Sequence, residues 1–347
     1  MAAKRKIEQG PEEGPLPLTP IQAWFFEQGL PEANHFNQSM VLEVEGAVEA
    51  AVEAYRADPN VLYAEPNYVY HIDATPDDPM LDELWGLHNT GQDGGVVDAD
   101  INAPEAWDLT TGSESTIVAI IDTGVSYDHE DLAANIWLNP GEIPGNNIDD
   151  DGNGYIDDVH GINAITNTGD PLDDNKHGSH CSGTITGHGN NGRGVAGVNW
   201  RAQIIGCKFL SSSGSGSTAN AVKCMDYLHN LKTRAVNPVD ITASSNSWGG
   251  SSFSQALLDS VLQHQADGML FIAAAGNNNA DNDTTNNYPS NYNASNIIAV
   301  AAVDRTDTRA SFSSYGRRTV HVGAPGVDIL SSTLNGTYAY LSGTSMA

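Results

Sequence analysis

The sequence predicts an α/β protein: a three-layer arrangement with a mostly parallel sheet and helices on both faces. Three observations predict it. Five short apolar runs recur through the later part of the chain, at 116–122, 203–209, 241–247, 269–275 and 297–303. Most are apolar on both faces instead of alternating, as strands covered on both sides must be. Between them lie helical stretches at 177–187, 218–234 and 254–267. Ligands of such a sheet gather outside the carboxyl ends of its strands.

The chain has 347 residues, room for about two domains or one large α/β domain with an extension. Lys and Arg number 15 against 44 Asp and Glu, a formal net charge of −29. Only 17% of residues are charged, so the imbalance reflects scarce bases. That excludes the basic stripe of a nucleic-acid binder and the basic patch that holds a protein to anionic lipid. The apolar runs fall far short of the roughly 18 residues needed to span a membrane. Cys181, Cys207 and Cys224 are an odd set, so the chain is not a disulfide-framed mini-protein.

The first 45 residues read differently from the rest. PLPLTPIQAWFFEQG carries Trp24, Phe25 and Phe26, and NHFNQSMVLEV alternates like a strand. No apolar stretch of about 7–15 residues follows the opening MAAKRK, so no signal peptide is read. A helical pattern covers 47–57 (AVEAAVEAYRA) and ends at Asp58-Pro59-Asn60; VLYAEPNYVYH reads as extended. Residues 277–296, crowded with Asn, read as a loop.

Three motifs carry chemistry. Asp122 ends the apolar run Val118–Asp122, His177-Gly178-Ser179-His180 opens a helix, and Gly343-Thr344-Ser345-Met346-Ala347 closes the sequence. A serine nucleophile needs a base to take its proton and a carboxylate to orient that base. Each motif alone is weak. Together they supply all three groups, and their order excludes the Ser, Asp, His order of α/β-hydrolases.

VAIIDTGVSYDHEDL, DDNKHGSHCSGTI, SNSWGG, IAAAGNNN and SGTSMA follow one another along the chain. With these blocks, residues 72–347 resemble the catalytic domain of subtilisin-like serine proteases. The resemblance implies a serine endopeptidase acting on polypeptides through an acyl-enzyme, outside the cell. Asp122 would orient, His177 would act as general base, Ser345 as nucleophile, and Asn277 as oxyanion-hole donor. Ser247-Trp248-Gly249 and Ala274-Ala275-Gly276 match the segments walling the primary specificity pocket, and 211–216 (SSSGSG) the other groove edge. His180 is read as structural, and Cys181, four residues after His177, as a small buried helix residue.

Residues 46–71 resemble the end of the family's inhibitory propeptide. Residues 1–45 resemble the opening of a nonribosomal peptide synthetase condensation domain, without its His-His-x-x-x-Asp-Gly motif. The resemblance also places a buried helix after the nucleophile. Only Met346 and Ala347 follow Ser345 in this sequence, so the nucleophile is expected on a frayed end, with peptidase activity lost. The alternative function is an inactive, calcium-binding fragment of the same fold.

Asp149-x-Asp151-x-Asn153-Gly154-x-x-Asp157 places oxygens at every second position with a glycine for the turn, as a structural calcium (Ca2+) loop needs. Counting Asp149 as one, position twelve is His160 where an EF-hand has Glu, so this is not an EF-hand. A solvated acidic loop is the other reading. Asp131 and Asn191 match a second calcium site of the family.

Overall fold

The structure is a computed structural model that describes residues 48–58, 61, 63–66 and 74–347. The chain divides into two compact units, residues 1–70 and 71–347. In the first, helix α1 (Val48–Arg56) forms on the predicted pattern. Arg56 Nε donates to the Ala64 carbonyl at 2.8 Å. The condensation-like segment 1–45 and its expected strand lie outside the described residues.

The second unit opens with a short helix, α2 (Ala103–Trp107), and a long strand, β1 (Gly112–Asp122). Then come β2 (Gly161–Asn163), α3 (His177–Thr186), β3 (Arg201–Lys208), α4 (Thr218–Thr233), β4 (Ile241–Asn246), α5 (Gln255–Ala266), β5 (Leu270–Ala274), β6 (Ile297–Val303) and β7 (Val322–Pro325). Seven strands make one sheet in the order β2-β3-β1-β4-β5-β6-β7. All six pairings are parallel. A separate antiparallel pair joins β8 (Ile329–Ser332) to β9 (Tyr338–Leu341).

The five apolar runs are strands because both of their faces are covered. Along β1, Ile117, Ala119 and Ile121 share a core with Met225 and Leu228 of α4 and Val261 of α5. Ile120 faces the other way, into a cluster that Ile185 of α3 closes. Ile120, Ile121, Ile204, Ile205 and Phe271 are all under 2% exposed. Burial of such a side chain contributes about 1.5–3 kcal/mol. Helices α4 and α5 begin where serines cap them: Ser217 accepts from Asn220 N and Ser254 from Leu257 N.

Several elements escape the sequence pattern. Strand β2 has three residues, and β7 (VGAP) has no buried position. The periodicity that marks a strand needs more residues than these offer.

Strands β3 and β4 lie on opposite sides of β1. The connection therefore reverses direction across β1 and opens a crevice at the strands' carboxyl ends. Asp122, Asn246 and Ala274 end β1, β4 and β5 at that edge.

Candidate active site

Asp122 is buried, with its side chain only 1% exposed, and its Oδ1 lies 2.8 Å from His177 Nδ1. A carboxylate only accepts, so Nδ1 carries the proton and Nε2 is the free basic nitrogen. Thr123 N also donates to Asp122 Oδ1, at 2.7 Å.

His177 stands at the first turn of α3, whose N-cap residue, Lys176, makes no side-chain capping hydrogen bond among the described residues. Loop groups hold that turn instead. His177 N donates to Asn175 Oδ1 (3.2 Å), Gly178 N to Thr123 Oγ1 (2.9 Å) and Ser179 N to Asp173 Oδ2 (3.0 Å). Asp173 also accepts from Ser179 Oγ (2.6 Å), Asn175 N (2.9 Å) and Lys176 N (3.1 Å). Gly178 sits against the Gly124 carbonyl, so any Cβ at 178 would collide with it. That close approach sets the distance between helix and strand.

The buried ammonium of Lys208 ties the same corner together. It donates to the carbonyls of Thr123 (2.6 Å) and Leu210 (3.0 Å) and to Asp174 (2.6 Å). Sequence reasoning missed Asp173, Asp174 and Lys208: the two aspartates open the DDNKHGSHCSGTI block, but nothing in its spacing gives them a role, and Lys208 lies in no block.

Burial opposes the charged form of His177. The Asp122 hydrogen bond and charge, with Asp173 behind, outweigh it and hold the imidazole above its ordinary pKa. His180 is wholly buried. Its Nε2 lies 2.9 and 3.1 Å from the Ile329 and Ala339 carbonyls, and burial pushes its pKa down to about 4. It joins α3 to the β8–β9 pair.

Ser345 lies in a turn closed by Met346 N and the Gly343 carbonyl (3.1 Å). The sequence led to a frayed end here, and the structure differs. Cys181 Sγ (3.3 Å) and Ser247 Oγ (3.0 Å) both donate to the Ser345 carbonyl, and Met346 is buried beside Trp85 and Ile329. Burial pushes the Cys181 thiol well up, so it stays neutral. Ser345 Oγ donates to the Ser247 carbonyl at 3.2 Å. No hydrogen bond joins it to His177 among the described residues.

Asn277 follows β5. Its Oδ1 accepts from Thr344 N and Thr344 Oγ1, both at 2.9 Å. Two donors on the oxygen fix the amide, leaving Nδ2 free to donate. A cavity of about 150 Å3 opens beside it, lined by Ser247, Trp248, Gly249, Ala274 and Gly276, and by Asn277, Asn278, Asn287, Thr344 and Ser345. Ala275, expected in its wall, is fully buried behind it, its amide paired with the Val300 carbonyl. Asn287 had no signal in an Asn-rich loop.

In the acidic loop Asp149 accepts from Asn153 N and Gly154 N, and Asp157 from the amides of Gly145, Asn146 and Asn147. Both carboxylates thus cap turns. Asn153 Nδ2 donates to Asp158 (2.9 Å). The oxygens that converge, within 4.8 Å of one another, belong to Glu142, Asp151 and Asp158. Arg234 already neutralises Asp151 at 2.6 Å. Burial raises the Asp158 pKa to about 7.

Asp131 is buried and accepts from Asn191 Nδ2 (3.0 Å) and Val195 N (2.9 Å). Buried Asp78, absent from the sequence reading, stands near it. Among the described residues its Oδ1 has no hydrogen-bond partner, and burial first and the Asp131 charge among lesser causes raise its pKa. An orphaned carboxylate oxygen within the field of a second buried carboxylate is what a hard cation would relieve.

A profile of the subtilase family matches residues 113–347, and one of the fervidolysin N-terminal prodomain matches residues 36–67. The thermophilic serine proteinase of Bacillus sp. (strain AK1) is 35% identical over 308 residues, 88% of this chain and 65% of that one. Subtilisin-like protease 1 of Plasmodium berghei (strain Anka) is 37% identical over 261 residues, 69% of this chain and 42% of that one. The chain thus spans less than two thirds of either relative. A solved protease structure from Pseudoalteromonas arctica PAMC 21717 matches with a TM-score of 0.62 at 28% identity, covering 79% of this chain and 84% of that one. Among the described residues no helix is long and apolar enough to cross a membrane.

Proposed function

This chain belongs to the subtilase family, and from that premise we propose that it is a serine endopeptidase. The observation that carries the proposal is the 2.8 Å Asp122–His177 pair at the end of β1, whose polar atoms lie within 4.8 Å of the Cys181 thiol that bonds the Ser345 carbonyl. In the proposed reaction Ser345 Oγ turns from the Ser247 carbonyl towards His177 Nε2. His177 takes its proton as Oγ attacks the substrate carbonyl, and Asp122 stabilises the resulting imidazolium. Asn277 Nδ2 and Ser345 N donate to the oxyanion. His177 then protonates the leaving amine, and water hydrolyses the acyl-enzyme by the reverse proton path.

The substrate is a polypeptide laid along the 247–249 and 274–276 segments, and the protein works outside the cell. Residues 46–71 act as the end of an inhibitory prodomain. The prodomain match over 36–67 supports this and reaches into the segment with condensation-domain resemblance. We assign that resemblance no chemistry. Asp78, Asp131 and Asn191 would hold a structural Ca2+, which when bound neutralises the buried carboxylates. Glu142, Asp151 and Asp158 form a second candidate group.

One observation favours the alternative of an inactive fragment: Ser345 Oγ bonds to Ser247, not to His177. Labelling decides between them. A fluorophosphonate should modify Ser345, located by peptide mapping, and Ser345→Ala should lose both the label and casein cleavage. No label, or a label that survives the substitution, overturns the proposal.

A further inference from the structure

We propose that Cys207 and Cys224 form a disulfide that fastens α4 to β3, closed during folding by exchange with a small-molecule disulfide such as oxidised glutathione. The inference stands apart from the peptidase reading. Cys207 is the penultimate residue of β3 and Cys224 lies in the second turn of α4, 17 residues further along the chain. Their thiols hydrogen-bond to each other, and Cys207 Sγ lies 3.8 Å from the Cys224 carbonyl oxygen. Both side chains are fully buried, in the core that Ile121, Phe209 and Met225 share.

Packing also decides which cysteines pair. Cys181 belongs to a separate cluster with Trp85, Ile329 and Met346, and its Sγ bonds the Ser345 carbonyl at 3.3 Å. The three cysteines thus divide into a touching pair and one set apart. Two touching thiols must approach by about 1.5–2 Å to reach bonding distance. A packed core resists such a shift, but α4 can deliver it. The chain enters α4 through 211–216 (SSSGSG), where residues 212–216 are exposed and Gly214 has φ of +75°. Ser217 caps α4 with its own side chain, so cap and helix move together.

The exchange balances. The two thiols give up two protons and two electrons as their sulfur–sulfur bond forms, and the oxidant's own sulfur–sulfur bond breaks to give two small thiols. The attacking species is a thiolate. Burial drives the Cys207 thiol well above its ordinary pKa, and once the core closes neither sulfur meets solvent. The bond is therefore made while the core is still open. Its place bears on the site: the next residue, Lys208, holds the Thr123 and Leu210 carbonyls beside the catalytic pair.

The test uses the full chain, denatured, reduced and refolded either in a glutathione redox buffer or in dithiothreitol. Peptide mapping without reduction should find Cys207 joined to Cys224 in the glutathione product, with Cys181 as its free thiol. That product should melt about 6–9 °C above the dithiothreitol product, the gain from closing a loop of roughly 15 residues. The variant carrying both Cys207→Ala and Cys224→Ala should melt alike after the two treatments, whatever the substitutions cost the core. If the chain does not refold, the map is read on chain secreted into an oxidising periplasm. A bridge that includes Cys181, or no bridge in the oxidised product of either route, overturns the inference. So does a bridged product that melts with the reduced one.

Discussion

Replacing Asp173 by alanine should loosen the first turn of α3 and retune His177 in one step. Asp173 accepts four donors: Ser179 N, Ser179 Oγ, Asn175 N and Lys176 N. Ser179 is fully buried, so its amide loses its partner without access to water, while its Oγ can turn to Ser126 Oγ at 3.1 Å. The orphaned amide costs about 1–3 kcal/mol and the half-exposed amides about 0.5–1 each. A total near 3.5 kcal/mol follows. At about 2–3 °C per kcal/mol for a unit of this size, the melting temperature should fall by roughly 7–10 °C. Asp173→Asn keeps one acceptor oxygen and should lose about half of that. The electrostatic effect has a definite sign. The Asp173 charge is among the causes that raise the His177 pKa, so either substitution lowers it. The raised pKa also stabilises the fold at acid pH, a contribution lost as pH rises through the folded value. The variants should therefore lose stability more at pH 5 than at pH 9. Imidazole titration by NMR should show the His177 midpoint moved to lower pH, and the acid limb of kcat/KM should follow. A melting temperature within 2–3 °C of wild type in Asp173→Ala, or an unmoved His177 titration, would refute the reasoning.

Three further outcomes are expected. Asn277→Ala should lower kcat by roughly 10²–10³-fold with KM nearly unchanged, the general cost of one oxyanion donor; a matching rise in KM would place Asn277 in ground-state binding. Gly178→Ala should destabilise by about 1–3 kcal/mol, because the new methyl meets the Gly124 carbonyl. Denaturant unfolding checks it, and an unchanged midpoint rejects the close-approach argument. Chelation should lower the melting temperature by about 5–8 °C if calcium stands near 100 times its Kd. Asp131→Asn should remove that response, whereas loss in Glu142→Gln with the response intact in Asp131→Asn would move the ion to the acidic loop.

The sheet was legible because Ile117 to Asp122 and its four counterparts are buried on both faces, and that burial writes itself into consecutive apolar letters. Asp122, His177, Asn277 and Ser345 were legible because each sits in a short block of fixed wording at an element end. Asp173 and Lys208 were not. Their value lies in which amides and carbonyls the folded loop brings to them, and no spacing in the chain encodes that. The acidic loop makes the limit physical. Asp157 and Asp158 are adjacent, and a pattern of alternating oxygens selects the first. Asp157, however, adopts φ of +50°. Its carboxylate takes the amides of residues 145–147. Asp158 is fully buried instead, where Tyr227 of α4 donates to it at 2.6 Å. Tyr227 is 69 residues away in sequence. Which of the two carboxylates turns inward is thus decided by a helix that docks on the loop, so the motif locates the loop and the packing chooses its inward oxygens.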